Sequence, residues 1–316
     1  MPYSFVKDYG ADIDWNVGSL FCHENVIKKI LSICNFYNAS HGIKYVFGSI
    51  PSLMAGGRIP PMEMDANEAV KTLDWHIQNG IACRLTLSNP HLTEEDVKSD
   101  GVNAELLGWL NMHPLPNAKN GVILSSDVLA RHIRDQYPNL DVVLSILRPA
   151  YETGYGKGKD TLGWYSKMLQ SDLYDIVVVN GAKLYEDGFM ESLPFKDKVE
   201  LIACHDCVRN CPRAKAHYEG MLACSLALYR NDEAKATAGM ARCDSVLQDC
   251  RAWKRIHPTD TAAYSEDEIK RLASMGFKHF KIAGRTASDE KFKSNLIHYA
   301  FKYELMHYLE SAFIFN

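Results

Sequence analysis

Eight short, mostly apolar runs, separated by stretches with helical periodicity, limit what this chain can fold into. The runs are Lys44–Ile50, Ile81–Ser88, Gly121–Ser125, Asp141–Leu147, Asp175–Asn180, Val199–Ala203, Arg255–Asp260 and His279–Gly284. Short runs that are apolar throughout suit strands of a parallel sheet covered on both faces. Ahead of them, Glu24–Tyr37 spaces Val26, Ile27, Ile30, Leu31 and Cys34 along one helical face. Between them, Asn67–Gln78 sets Ala69, Val70, Leu73 and Ile77 on one face, and Asp127–Asp135, Thr161–Gln170 and Ser265–Ser274 repeat the pattern. Asp65 and Ser265 are the expected N-caps, Ser265 with Glu266 or Glu268 in a capping pattern. This alternation predicts an α/β protein, a closed (β/α)8 TIM-like barrel. An open doubly wound sheet is the alternative, but no G-x-G-x-x-G follows the first run, so a dinucleotide fold loses its best support. The 316 residues are read as one domain, 1–316, since such barrels use roughly 250 residues. A C-terminal helix is expected over about 288–312.

One interval breaks the rhythm. About fifty residues separate the sixth run from the seventh, and they hold six of the nine cysteines, Cys204, Cys207, Cys211, Cys224, Cys243 and Cys250. Connections in α/β units are usually far shorter. A cysteine-rich insertion over about 204–254, after strand six on the catalytic face, is therefore where function is expected. The N-terminus lacks a basic segment followed by an apolar one, and nowhere do apolar residues run long enough to span a bilayer. A cytoplasmic protein with no membrane partner is expected, so disulfides are disfavoured and metal binding becomes the better reading of the thiols. A formal net charge of −4 gives no general electrostatic support for a nucleic-acid partner.

Cys207 and Cys211 are spaced C-x3-C in CHDCVRNCPRAKAHY, with Cys204 three residues earlier and Pro212 directly after. Thiolates in one turn can converge on a soft metal, as zinc or as an iron–sulfur cluster. Structural zinc sites usually show two tight pairs, whereas the later thiols here are spread out, which leans toward a [4Fe–4S] cluster with Zn as the alternative. The metal-ligand set is read as Cys207, Cys211, Cys250 and Cys224, the fourth place being open among Cys204, Cys224 and Cys243. Cys22, Cys34 and Cys83 read as ordinary core or structural thiols.

The strand ELIACHDCVRNCPRAKAHY, the later cysteine before RIHPTDTAAY and the closing GFKHFKIAGR resemble the collagenase-like peptidase family, over roughly residues 44–290. That family commonly closes on F/L-K-I-E-G-R, and here Ala283 replaces the acidic residue. The spacing of the first cysteine motif also departs from the peptidase-labelled members, so the resemblance is to a divergent branch. It implies a barrel with four cysteine ligands to a [4Fe–4S] cluster and relatives that hydroxylate tRNA, rRNA or a quinone precursor without oxygen. Prephenate is the implied oxygen donor in several of them. By position, Cys207, Cys211 and Cys250 match cluster ligands, and Lys281 and Arg285 match the closing signature.

Strand ends supply the remaining candidates. His205, Asp260 and Lys281 are the expected catalytic groups, with Asp206, His217 and Tyr218 in support, and Arg148, Asn180 and Arg285 the expected substrate-binding ones. Guanidinium forks pair with carboxylates and phosphates, so Arg148 and Arg285 point to a small anionic ligand. Ser49, Ser88, Asn89 and Ser125 also stand at strand ends. The segment Gly154–Lys159, GYGKGK, lacks the full phosphate-loop pattern and reads as a loop. Together these features predict an iron–sulfur oxidoreductase or hydroxylase-like enzyme acting on a small anionic substrate or nucleobase. A zinc-stabilised hydrolase or lyase barrel, and a non-catalytic cluster-binding subunit of a larger enzyme, are the alternatives. A protein partner or a second copy of the chain fits either.

Overall fold

Strands that are apolar throughout must serve two separate cores, because successive side chains point to opposite faces. The computed structural model, which describes residues 4–55, 64–152, 161–205, 207–209, 211, 213–230, 232–256, 261–284 and 287–311, shows that division. The strands are β1 (Asp14–Val17), β2 (Ile43–Gly48), β3 (Ala82–Leu87), β4 (Gly121–Leu124), β5 (Asp141–Leu144), β6 (Ile176–Val179), β7 (Val199–Ile202) and β8 (His279–Ile282). They lie in chain order, pair in parallel and close into a barrel, β8 meeting β1 from Asp14↔His279 to Val17↔Ile282. Outward residues such as Val46, Leu85, Val122, Val142, Val177, Leu201 and Phe280 join the core beneath the helices. Inward residues Phe47, Ile123, Val143, Ile176, Val178 and Ile202 form a second, smaller cluster inside the ring.

The helices are α1 (Glu24–Phe36), α2 (Ala66–Gln78), α3 (Glu94–Ser99), α4 (Gly101–Met112), α5 (Asp127–Gln136), α6 (Leu147–Glu152) and α7 (Thr161–Gln170). After them come α8 (Phe189–Ser192), α9 (Ala214–Tyr229), α10 (Glu233–Ile256), α11 (Glu266–Ser274), α12 (Asp289–Tyr299) and α13 (Glu304–Ser311). α1 buries Val26, Ile27, Ile30, Leu31 and Cys34, the face that its spacing predicts. Each large aliphatic side chain on it contributes about 1.5–3 kcal/mol. Asp65 caps α2 by accepting from the Glu68 amide at 2.9 Å, and Ser265 and Glu268 close a reciprocal capping box on α11. Cys34 and Cys83 are core thiols, and burial pushes Cys34 up to about 11. Among the described residues no helix is long and apolar enough to cross a membrane.

The barrel is the predicted one, with eight strands as expected but one of them assigned differently. Apolar runs miss β1, whose alternate residues Asp14 and Asn16 are polar and whose outward residues Trp15 and Val17 are buried. The expected strand at Arg255–Asp260 is not one over its first two residues: α10 continues through Arg255 and Ile256, while 257–260 lie outside the described residues. The cysteine-rich segment therefore follows β7, not a sixth strand. It is mostly a helical hairpin, α9 packing along α10 and also touching α6. The predicted strand Asp141–Leu147 stops at Leu144, and Leu147 opens α6. The predicted C-terminal helix is broken into α12 and α13 where Phe301 bridges to Val6.

Candidate functional site

The first residue after a barrel strand carries the inward–outward alternation into the mouth at the carboxyl ends. Ser49, Ser88, Ser125, Ser145 and Asn180 each stand two residues beyond Phe47, Thr86, Ile123, Val143 and Val178, and all five are buried. Cys204 follows Ile202 at the same spacing. The mouth is thus ringed by small neutral polar groups. The Ser145 hydroxyl accepts from the Leu147 amide at 3.3 Å. Asn180 caps the short 3-10 turn Gly181–Tyr185, its side-chain oxygen accepting from the Ala182 amide at 3.0 Å. The Ser125 hydroxyl has no hydrogen-bond partner among the described residues.

The loop leaving β7 is stitched to the segment that enters α11. The Tyr264 amide donates to the Ala203 carbonyl at 2.9 Å and the Ala262 amide to the Cys207 carbonyl at 3.0 Å. Val208 and Thr261 form an antiparallel bridge, and Arg209 Nε donates to the Thr261 carbonyl at 2.9 Å. Arg209 also lies over the Tyr185 ring, 3.2 Å from its centroid. The hairpin then returns to the loop, because Arg213, just ahead of α9, is ion-paired with Asp249, the neighbour of Cys250. Cys207, Cys211 and Cys250 accordingly share one neighbourhood. Burial pushes the Cys211 thiol up, the Arg213 amide opposes that, and the Cys207 and Cys250 thiols push it further up. Among the described residues, no three His, Cys, Asp or Glu side chains are gathered tightly enough to hold a metal ion.

The two other described cysteines of the segment part company. Cys204 sits at the rim, its Sγ receiving the Ala283 amide at 3.1 Å. Cys224 lies in the hairpin interface, where a Cβ on Gly239 of α10 would come within 2.8 Å of the Cys224 backbone nitrogen. Only burial shifts its thiol, upward, with no contribution from another cysteine. The Cys243 side chain lies outside the described residues.

The predicted polar candidates are not drawn into one constellation. Arg148 is not on a strand end but in α6, where Asp127 takes its fork at 3.1 and 3.2 Å, the Ser125 carbonyl accepts at 2.8 Å and Glu152 takes Nε. Its charge is already matched by two carboxylates. Lys281 turns toward the inside of the ring, with Nζ 3.5 Å from Glu200 Oε1 and 3.8 Å from the Phe47 ring centroid. His205 follows Cys204 in the stitched loop and is half-buried. Asp206, Asp260, Arg285 and 154–159 lie outside the described residues.

Lys281 belongs to a cluster that apolar patterning does not single out. Glu200 and Arg84 are fully buried near the amino ends of the strands. Glu200 Oε2 accepts from Asn16 Nδ2 at 2.8 Å and from Arg84 Nη1 at 3.1 Å. The Arg84 guanidinium stacks on Tyr45, 3.6 Å from the ring centroid, and reaches Asp141 at 3.9 Å. Burial pushes the Glu200 carboxyl up, but Lys281 and then Arg84 outweigh it and hold it below the ordinary carboxylate value. The available signal was a charge inside each of two otherwise apolar strands, ACRLTL and VELI.

No family model matches the sequence, and no curated protein matches it. Solved structures do. The chain is similar to a U32 peptidase. That structure, the U32 peptidase Mk0906, is 11% identical, with 88% of this chain and 95% of that one covered, at a TM-score of 0.47. Concanavalin B is also similar, at 12% identity over 92% of this chain and 99% of that one, with a TM-score of 0.38.

Proposed function

We propose that this chain is an enzyme that holds a soft metal centre, a [4Fe–4S] cluster, beside its barrel mouth and acts there on a small anionic substrate or a nucleobase. What supports the reading is that Cys207, Cys211 and Cys250 share one neighbourhood, Cys250 coming from a separate helix that the Arg213–Asp249 pair ties to the loop, although the thiols are not gathered as tightly as a bound metal would require. Thiolates from two segments are the donor set that soft metals select. Cys207, Cys211 and Cys250 would hold the group, and Cys204, in the same loop at the rim, is the fourth donor in preference to Cys224. When bound, an iron–sulfur cluster supplies one electron at a time. Oxygen-independent hydroxylation, which the resembled family implies, is the reaction class this reading favours.

The chain's own groups take the other roles. His205, next to Cys204, is placed to hold or move a proton at a ring nitrogen. The buried hydroxyls of Ser88 and Ser125 orient a polar substrate at the mouth. Arg285, next after Gly284, supplies the cation for an anionic group, a role that Arg148 cannot fill with its fork taken by Asp127. The Asp260 carboxylate is a second proton carrier in this scheme. Protein purified without air should be brown and contain about four iron and matching acid-labile sulfide per chain. Stoichiometric zinc without sulfide replaces this reading with a zinc-stabilised barrel. Protein with neither metal removes both.

A further inference from the structure

Among the described residues of the mouth, the β1–α1 loop, residues 18–23, has the most strained backbone. Two of its non-glycine residues have positive φ, Phe21 at 66° and His23 at 54°. L residues enter that region at an energetic cost, which glycine avoids. The loop is nonetheless tightly fitted: a Cβ on Gly48 would lie 2.0 Å from the Leu20 carbonyl oxygen. At position 23 the chain keeps a histidine where glycine or asparagine would relieve the backbone.

What the ring does there is specific. It stacks on Phe292 of α12, with centroids 4.3 Å apart and planes 11° from parallel. Nε2 lies 2.9 Å from the Gly284 carbonyl oxygen and Nδ1 meets the Asp289 carboxylate. The ring thus has a polar partner at each of its two nitrogens. The His23 side chain is 5% exposed, while Asp289 is largely in solvent. The same seam is crossed by the Gly18 amide, which donates to the Ile282 carbonyl at 2.8 Å. Gly284 is the last residue before Arg285.

We propose that His23 is a positioning residue of the mouth, bolting the β8–α12 turn to the β1–α1 loop where the barrel closes. It thereby holds the Ala283–Gly284 backbone at the rim, where the Ala283 amide meets Cys204. Its effect on anion binding rests on the reading of the mouth as an anion-binding site; the bolt itself does not.

The test is His23→Gly, which removes the ring and relieves the positive φ. His23→Asn tolerates the same backbone without the two-ended ring, and Asp289→Ala removes only the exposed end. Amide hydrogen exchange is followed at Ala283, which donates to Cys204, and at Ala287, whose amide donates to the Gly284 carbonyl at 2.8 Å. Exchange at both should rise roughly tenfold in the two His23 variants, as loss of the buried contact to the Gly284 carbonyl implies, and less in Asp289→Ala. Added imidazole should reverse part of the rise in His23→Gly, which a side chain that only fills space would not predict. Binding of malonate and inorganic phosphate should weaken by roughly the same factor, with metal content unchanged. Exchange that stays at the parent's rate in all three variants overturns the proposal. Faster exchange in a protein whose parent binds neither probe supports the bolt and overturns the anion-site reading instead.

Discussion

The two ends of this barrel use polar residues in opposite ways. Below the mouth, inside the barrel, Arg84, Glu200, Lys281 and Asn16 are buried and pair with one another, while Arg84 Nε and Nη2, Glu200 Oε1 and Asn16 Oδ1 have no hydrogen-bond partner among the described residues. At the carboxyl ends, the inward positions are hydroxyls, an amide and a thiol, and the strained backbone of Phe21 and His23 stands beside them. Buried charges of opposite sign that face each other specify how strands meet, and their attraction is directed inward. Small groups with spare hydrogen-bonding capacity do the reverse. The floor of this barrel holds its shape, and the mouth is where a substrate can be met, as is general for parallel barrels.

The comparison is broken most easily at Glu200. Glu200→Ala leaves two buried cations without their carboxylate and should cost about 3–5 kcal/mol of stability in urea or guanidinium unfolding. Any fraction that folds should keep its full metal content. A loss below about 1 kcal/mol would mean that the floor cluster is hydrated and open, and the contrast between the two ends would fall with it.

Acid titration separates the floor from the helical layer. His76 on α2 is fully buried, its ring nitrogens have no hydrogen-bond partner among the described residues, and burial pushes it down to about 3. Below pH 6.5 the unfolded chain takes up a proton on this histidine and the folded chain does not. Stability therefore falls as pH drops from about 6.5 to about 3, by up to about 1.4 kcal/mol per unit. Glu200 and Asp14, both held below the ordinary carboxylate range, add their own loss only at the acid end of that window. His76→Phe should flatten the stability curve between pH 6.5 and 4.5 while leaving the steeper acid limb in place. A variant that unfolds along the parent's curve would assign the early limb to other groups.

The sequence makes the two ends unequally visible. The helical faces, the Ser265 capping box and the strands from Ile43 to Ile202 are legible because burial on a packed face imposes a period, and periods survive in the sequence. β1 is hidden by the same logic: its Asp14 and Asn16 take Lys44 and Glu200 as partners, so the apolar run is broken. RIHPTD misleads because Arg255 and Ile256 are the end of a long polar helix, not a buried strand. Cys207, Cys211 and Cys250 stand out by clustering of thiols, a chemical signal that needs no period, and the structure brings them into one neighbourhood. Cys224 has the same signal but sits in a helix–helix contact, and only the approach of Gly239 shows this. Arg148 reads as a strand end because the turn from β5 into α6 has no proline or glycine before Pro149 to mark it.

Arg148 sharpens the comparison at lower energy. Its partners Asp127 and Glu152 are partly exposed, so Arg148→Ala should cost about 1 kcal/mol in thermal unfolding, not the several expected of the floor. Malonate and phosphate should bind to this variant as they bind to the parent. Weaker binding, with metal content unchanged, would return Arg148 to the substrate site.

The smallest expected effect is the most discriminating. Ser125 follows β4, is fully buried, and its hydroxyl has no hydrogen-bond partner among the described residues. A buried hydroxyl without a partner contributes nothing to folding and costs part of its desolvation, so removing it relieves a penalty and breaks no bond. Ser125→Ala should therefore change stability by less than about 0.5 kcal/mol, and toward greater stability if it changes it at all. Ligand binding tells a different story. If the mouth hydroxyls orient substrate, the same variant should bind malonate or phosphate several-fold more weakly, because a bound polar group would face a methyl where it had a donor. Calorimetric titration beside thermal melts reads both quantities on one preparation. A large loss of stability would show that Ser125 is tied into the fold as Glu200 is, and the division between a structural floor and a receptive mouth would no longer hold at β4.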